Sequence, residues 1–446
     1  MNAIALLMGL LLLSYLGSLL VGRGNSGGLA SGVDFVGLGF VVGPHALGLV
    51  SRPMIVDFEP IIQVALGWLA FLIGLDFGRV EGRRVRKANA ALGIACAVLT
   101  GVVVAGAAWR MLLSSPLGLD PTSRLALVAG AGAVSAETAR NAVEWVGARW
   151  GARGPLSTLL VDIGAADDLV PLVAAGAIFA LAPSAGLAID LPVWGWFGAS
   201  LATGVLLGFV TAMLLRGAEG DSVWGALVGS ILLVVGVAAR FGLSTIFVTF
   251  VMGITVALAS PSRPALRRRV RPTERAALYP LLLLAGARLD LRPIYEDHRL
   301  AALVALVLLA RIVGKIVSGI VIREVAEPAK PAGHLFGIVL LSSGPVSTSV
   351  GLVFALRFPG PVGDTLLVCA VASALLGELV STFALKALLT EAGDIAAPQP
   401  ALTPQPSTKA SAPPVPPLPF HGGRSASTIP PPLAESVYQL PDDEDG

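Results

Sequence analysis

Apolar runs of bilayer length recur along almost the whole chain, each closed by proline, glycine or a cluster of charge. A helix needs about 20 apolar residues to cross the hydrocarbon core, and inside lipid every backbone polar group must find its partner within the protein. The runs lie near 3–22, 33–50, 56–76, 88–114, 123–147, 155–182, 192–215, 221–241, 243–259, 274–288, 299–322, 332–357 and 363–389. They predict an all-α polytopic membrane protein with about thirteen transmembrane helices. Composition agrees: 55% of the residues are hydrophobic and only 13% charged, roughly half the charged share of a soluble protein. The 52 glycines suit helices whose backbones approach closely. Cys96 and Cys369 fall inside apolar runs, so both are expected as free buried thiols. The first run lacks a basic leader and a small-residue cleavage site, and it reads as a retained helix.

Lysine and arginine in short loops set orientation. With the N-terminus outside, the cytoplasmic loops hold Arg79, Arg83, Arg84, Arg86 and Lys87, then Arg149 with Arg153, then the cluster from Arg263 to Arg275. Topology accounts for these charges, and no nucleic-acid partner is expected. From about residue 391 the composition turns to proline, serine and threonine and ends in Asp442, Asp443, Glu444 and Asp445. The expected organisation is a membrane domain over 1–390 and a disordered, Pro-rich cytoplasmic tail over 391–446.

Asp167 and Asp168 interrupt the apolar run 155–182 near its middle. Burying a carboxylate at that depth costs a few kcal/mol, so the pair is read as a functional ion or proton site. Pro171 removes the helical hydrogen bond to the Asp167 carbonyl, adding a free backbone oxygen at the same depth. Two carboxylates and a carbonyl are ligands for a hard cation. Lys315 lies inside the run 299–322, where it needs a carboxylate partner. Arg311, one turn earlier, is a rival partner for Asp167 or a partner for Glu378. Glu137 and Arg140 are three apart and can pair with each other. Asp162 is expected to line a funnel or bond to a helix end. The fifth run contains Gly130-Ala131-Gly132-Ala133-Val134-Ser135 and the twelfth Ser342-Ser343-Gly344-Pro345-Val346-Ser347. Interruptions at the same place within spans 1–6 and within spans 8–13 are what a pair of crossing discontinuous helices would look like.

Seven stretches in order carry a family resemblance: Gly43-Pro44 to Leu49, Phe71-Leu72-Ile73-Gly74-Leu75-Asp76, Thr138-Ala139-Arg140, Ala166-Asp167-Asp168 to Leu172, Gly242-Leu243-Ser244 with Phe250 to Gly253, Gly286 to Leu291, and Val313-Gly314-Lys315. Together they resemble the monovalent cation:proton antiporter-2 family. The resemblance implies the sodium/proton antiporter fold, two inverted six-helix repeats with crossed discontinuous helices, together with a homodimer in the cell membrane and exchange of a monovalent cation for protons. It implies no enzymatic activity and no cofactor. It carries over Asp168 as main cation ligand, Asp167 as its partner and Lys315 as the paired lysine, with Ser135, Glu137 and Thr138 at the first break. Asp162, Arg140, Arg311, Ser343, Ser347 and Glu378 stand around them. The double aspartate points to electrogenic sodium/proton exchange. Ala133-Val134 stand where the sodium branch carries a Thr-Ser pair, which keeps potassium/proton exchange as the alternative. An intramembrane aspartyl protease needs aspartates facing each other from two helices, whereas neighbours on one helix diverge by about 100°. A scaffold that works through its tail is the remaining reading.

Overall fold

The computed structural model describes residues 32–395, apart from 81, 115–116, 183–190, 219, 261–262 and 334–335. The expected span 3–22 and the tail beyond 395 lie outside the described residues. Helices α1 (Val33–Val42), α2 (Arg52–Asp57) and α3 (Glu59–Asp76) lead to a small hairpin of β1 (Arg79–Val80) and β2 (Arg83–Arg84). There follow α4 (Lys87–Ser114), α5 (Pro121–Ala136), α6 (Arg140–Trp150), α7 (Pro155–Asp167) and α8 (Leu169–Leu181). The second part comprises α9 (Val193–Arg216), α10 (Ser222–Phe241), α11 (Thr245–Ala259), α12 (Arg263–Val270), α13 (Thr273–Arg288) and α14 (Arg292–Glu296). It continues through α15 (His298–Val325), α16 (Phe336–Val339), α17 (Pro345–Arg357) and α18 (Pro361–Glu391).

Among the described residues seven helical segments are long and apolar enough to cross a membrane, with α7 and α8 forming one continuous span. Local signals place the turns between them. Gly242 adopts a left-handed conformation that closes α10, and the Ser244 hydroxyl then accepts the Phe247 N–H to open α11. This is the usual division between a glycine that ends a helix and a serine that caps the next.

The inverted repeat is visible in the packing. Helix α3 lies against α11, and α13 lies against α1. Both crossings are made by facing glycines. A Cβ on Gly74 would lie 2.2 Å from the Phe250 oxygen and one on Gly253 2.3 Å from the Phe71 oxygen; on Gly39 and Gly286 the corresponding distances are 1.9 and 2.0 Å. Gly74 stands two residues before Asp76 at the end of α3, and Gly286 two before Arg288 at the end of α13. The same device therefore joins the two repeats twice, α3 of the first to α11 of the second and α1 of the first to α13 of the second. Helices α4 and α15, also equivalent between the repeats, pack on each other, with α5 and α7 against α4 and α16 and α18 against α15.

Ties hold both ends. At the arginine-rich end Arg267 pairs with Asp76, NH2 to Oδ2 at 3.0 Å, and Arg263 donates to the carbonyls of Leu75 and Phe77. At the other end Arg288 donates to Asp364 at 2.8 Å, Arg52 pairs with Asp290, and Arg357 donates to the Ala182 carbonyl. The folded body extends slightly beyond the expected boundary at 390. Helix α18 runs to Glu391, and Asp394 then accepts the N–H of Ser157 at 2.6 Å while its carbonyl accepts that of Arg153. Cys96 and Cys369 are free and buried, as expected.

Candidate ion site

Two chain breaks meet in the middle of the bundle. Helix α5 stops at Ala136, residues 137–139 run extended, and α6 starts at Arg140. Helix α16 stops at Val339, and α17 starts at Pro345 after an unwound stretch. The two stretches cross, with the Ala139 N–H donating to the Ser342 carbonyl at 3.0 Å. Sequence placed the first break about one turn too early. Gly130 to Ser135 are helical, and the small residues serve packing: a Cβ on Gly132 would lie 2.6 Å from the Gly101 oxygen. Pro345 begins α17, where its missing N–H costs nothing.

Four helix ends facing one another leave unpaired carbonyls and N–H groups in a dry place, and three of them, the C-termini of α5 and α16 and the N-terminus of α17, are met by a charge of the favourable sign. Arg311 and Lys315 project from one face of α15 and are buried. The Arg311 guanidinium donates to the carbonyls of Ser135 at 2.6 Å, Glu137 at 3.1 Å, Leu341 at 3.2 Å and Ser342 at 3.3 Å. Lys315 Nζ donates to the Ala136 carbonyl at 2.6 Å and the Thr138 hydroxyl at 2.7 Å. At the positive end of α17 the Glu137 carboxylate accepts the Ser347 N–H, and the Ser347 hydroxyl donates to the Val134 carbonyl.

The two aspartates part company. Pro171 interrupts the span, so that α7 ends at Asp167 and α8 begins at Leu169 with Asp168 at the joint. Asp168 lines a cavity of ≈ 60 Å³ together with Asp76, Glu137, Arg140 and Glu274, room for several waters. Asp167 does not line it. Asp167 is buried, 1% exposed, beside Thr138, whose hydroxyl accepts from Lys315 Nζ. Asp167 Oδ1, Ser135 Oγ and Ser343 Oγ are buried with no hydrogen-bond partner in the protein.

Several expected pairings are replaced. Among the described residues neither Lys315 nor Arg311 lies within 4.0 Å of a carboxylate, because helix-end carbonyls claim both. Arg311 therefore pairs with neither Asp167 nor Glu378. Glu137 does not pair with Arg140, whose Nε stands 3.4 Å from Glu144. Asp162 lies off the cavity and accepts from Arg83 at 2.6 Å, Asn89 at 2.9 Å and the Arg86 N–H, tying the hairpin and the start of α4 to α7. Among the described residues no three of the acidic, histidine or cysteine side chains converge as a metal centre would need. Sequence reasoning passed over Glu274. An acid in the first turn of a helix is ordinary, so only the packing of α13 reveals that it faces Asp168.

Crossed broken helices with buried charges at their ends, served by a water-accessible cavity, define an ion-translocating membrane protein. Two structures of the sodium proton antiporter MjNhaP1 from Methanocaldococcus jannaschii share the fold. The first, at pH 8, has a TM-score of 0.58 and 15% identity over 87% of this chain and 95% of that one. The second has a TM-score of 0.56 and 16% identity over 88% and 98%. No curated protein matches the chain in sequence. The family described as sodium/hydrogen exchanger, transmembrane, matches residues 8–391. The chain belongs to the sodium/hydrogen exchanger family; it is a multi-pass membrane protein of the cation/proton antiport class.

Proposed function

We propose that this chain exchanges sodium for protons across the cell membrane, electrogenically, with cation and proton competing for Asp168 and its neighbour Asp167. The observation that carries the reading is the division of labour within the pair. Asp168 meets the cavity, while Asp167 lies beside Thr138, whose hydroxyl accepts from Lys315 Nζ. A cation arriving from the cavity meets Asp168 first. Asp167, Thr138 and Lys315 then form a connected set that takes up and releases protons as one unit. The unpartnered oxygens of Ser135 and Asp167 supply further ligands.

The arginine-rich end is cytoplasmic in this reading, which places the N-terminus outside and the tail inside. Asp76 and Glu274 line the cavity toward that side, while Arg288–Asp364 and Arg357 tie helices together at the other. Alternating access then requires the body around α4 and α15 to shift against the body around α3, α11 and α13. Two copies form the working dimer. The Ala133-Val134 sequence favours potassium as the second candidate cation.

The test is purified protein in proteoliposomes, with proton movement driven by sodium, lithium or potassium gradients in wild type and Asp168→Asn. An amide cannot exchange a proton for a cation, so the variant is expected to lose exchange at every pH. Exchange by Asp168→Asn at the wild-type rate refutes the site.

A further inference from the structure

Among the described residues Arg140 is the sole basic one lining the cavity, and its surroundings do not explain it as a structural residue. It begins α6, where the helix dipole disfavours a cation. Among the described residues its Nε is buried without a hydrogen bond, and its one ion-pair contact is the 3.4 Å approach to Glu144 on its own helix. Arg311, by contrast, donates to four carbonyls. The other charged residues of the cavity are all acidic. Asp168 lines it from the α7–α8 joint, Glu274 from α13, Asp76 from α3 and Glu137 from the first break, and Glu144 lies one turn along α6. Asp76 is already paired with Arg267, and Arg271 stands near Glu274. Glu137 is committed to the first turn of α17. The carboxylates left to Arg140 are therefore Glu144, Glu274 and Asp168, and the last is the one the transported cation must reach.

We propose that Arg140 is a built-in competitor of the transported cation: its guanidinium supplies the positive charge at the cavity carboxylates when no cation is bound, and it sets the apparent affinity by having to yield to the incoming ion. The inference rests on the reading of Asp168 as the cation ligand. Two cations beside one carboxylate repel, so arrival at Asp168 drives the guanidinium toward Glu144 and Glu274. Removing the charge leaves a site that holds the cation more tightly and releases it more slowly.

The experiment measures the KM for sodium and the maximal rate in proteoliposomes at one alkaline pH, for wild type, Arg140→Gln and Arg140→Lys. Arg140→Gln is expected to lower KM by roughly 5-fold or more, the low end of couplings between neighbouring sites, with the maximal rate falling. Arg140→Lys restores the charge and returns KM toward wild type. An unchanged or raised KM in Arg140→Gln overturns the proposal, whatever the rate, and so does a lowered KM that Arg140→Lys fails to restore. Loss of exchange in Asp168→Asn alongside an unchanged KM in Arg140→Gln defeats this inference alone. Wild-type exchange in Asp168→Asn defeats the underlying site.

Discussion

Replacing Arg311 by methionine tests whether the crossing of the broken helices is held by charge at helix ends. Methionine is as long as the arginine stem up to Nε, so the change removes the guanidinium donors while keeping much of the stem. Four carbonyls lose a donor, those of Ser135, Glu137, Leu341 and Ser342, at 2.6 to 3.3 Å. Each bond to a charged group is worth about 1.5–3 kcal/mol, but the guanidinium no longer has to be desolvated. The net loss is then about 3–5 kcal/mol, the usual cost of breaking a buried ionic interaction by removing one side. At roughly 1–2 °C per kcal/mol for a folded body of this size, the melting temperature falls by about 5 °C. Arg311→Lys keeps the charge with fewer and shorter-reaching donors, and it falls between the two. The measurement is fluorescence-monitored melting of detergent-purified protein. Melting of Arg311→Met within about 1 °C of wild type refutes the reasoning, since it means that water or backbone adjustment satisfies those carbonyls as well as arginine does.

The remaining expectations concern packing and pH. Gly253→Val forces a Cβ to within 2.3 Å of the Phe71 oxygen; overpacking of about 1–3 kcal/mol or more follows, read as a lower melting temperature, whereas Gly236→Ala, with nothing within 4 Å, is neutral or slightly stabilising. Burial opposes ionisation of Asp290, yet the Arg292 N–H and Arg52 hold its carboxyl below the ordinary 3.8. A value lowered on folding contributes stability in full above that ordinary value and loses it as pH falls through the folded one. Asp290→Asn therefore melts below wild type near neutrality, and the gap closes under strong acid. A gap that persists there removes the carboxylate charge from the explanation.

Much of this protein could be read before any coordinates. Apolar run length determined that it is helical and membrane-spanning, because a bilayer fixes the length of a span and forbids unpaired backbone. The double aspartate and the lysine stood out for the same reason: charge in lipid is too costly to be incidental. The matched interruptions of the fifth and twelfth spans foretold the crossing, although the first break lies at Glu137–Ala139 and not among the glycines before it. Glycine in a membrane helix signals close approach as readily as a break, and sequence alone does not separate the two. Partnership was decided only by the tertiary structure. Arg311 and Lys315 face carbonyl oxygens because the crossing brings two helix C-termini beside α15, and Glu137 turns from Arg140 because the N-terminus of α17 lies nearer. Asp167 and Asp168, identical and adjacent in the chain, receive different surroundings because neighbours on a helix diverge by about 100°, and the packing of other helices puts a cavity on one side and a closed cluster on the other. Which charge answers which is a property of where remote helix ends come to rest, and no local pattern of residues encodes it.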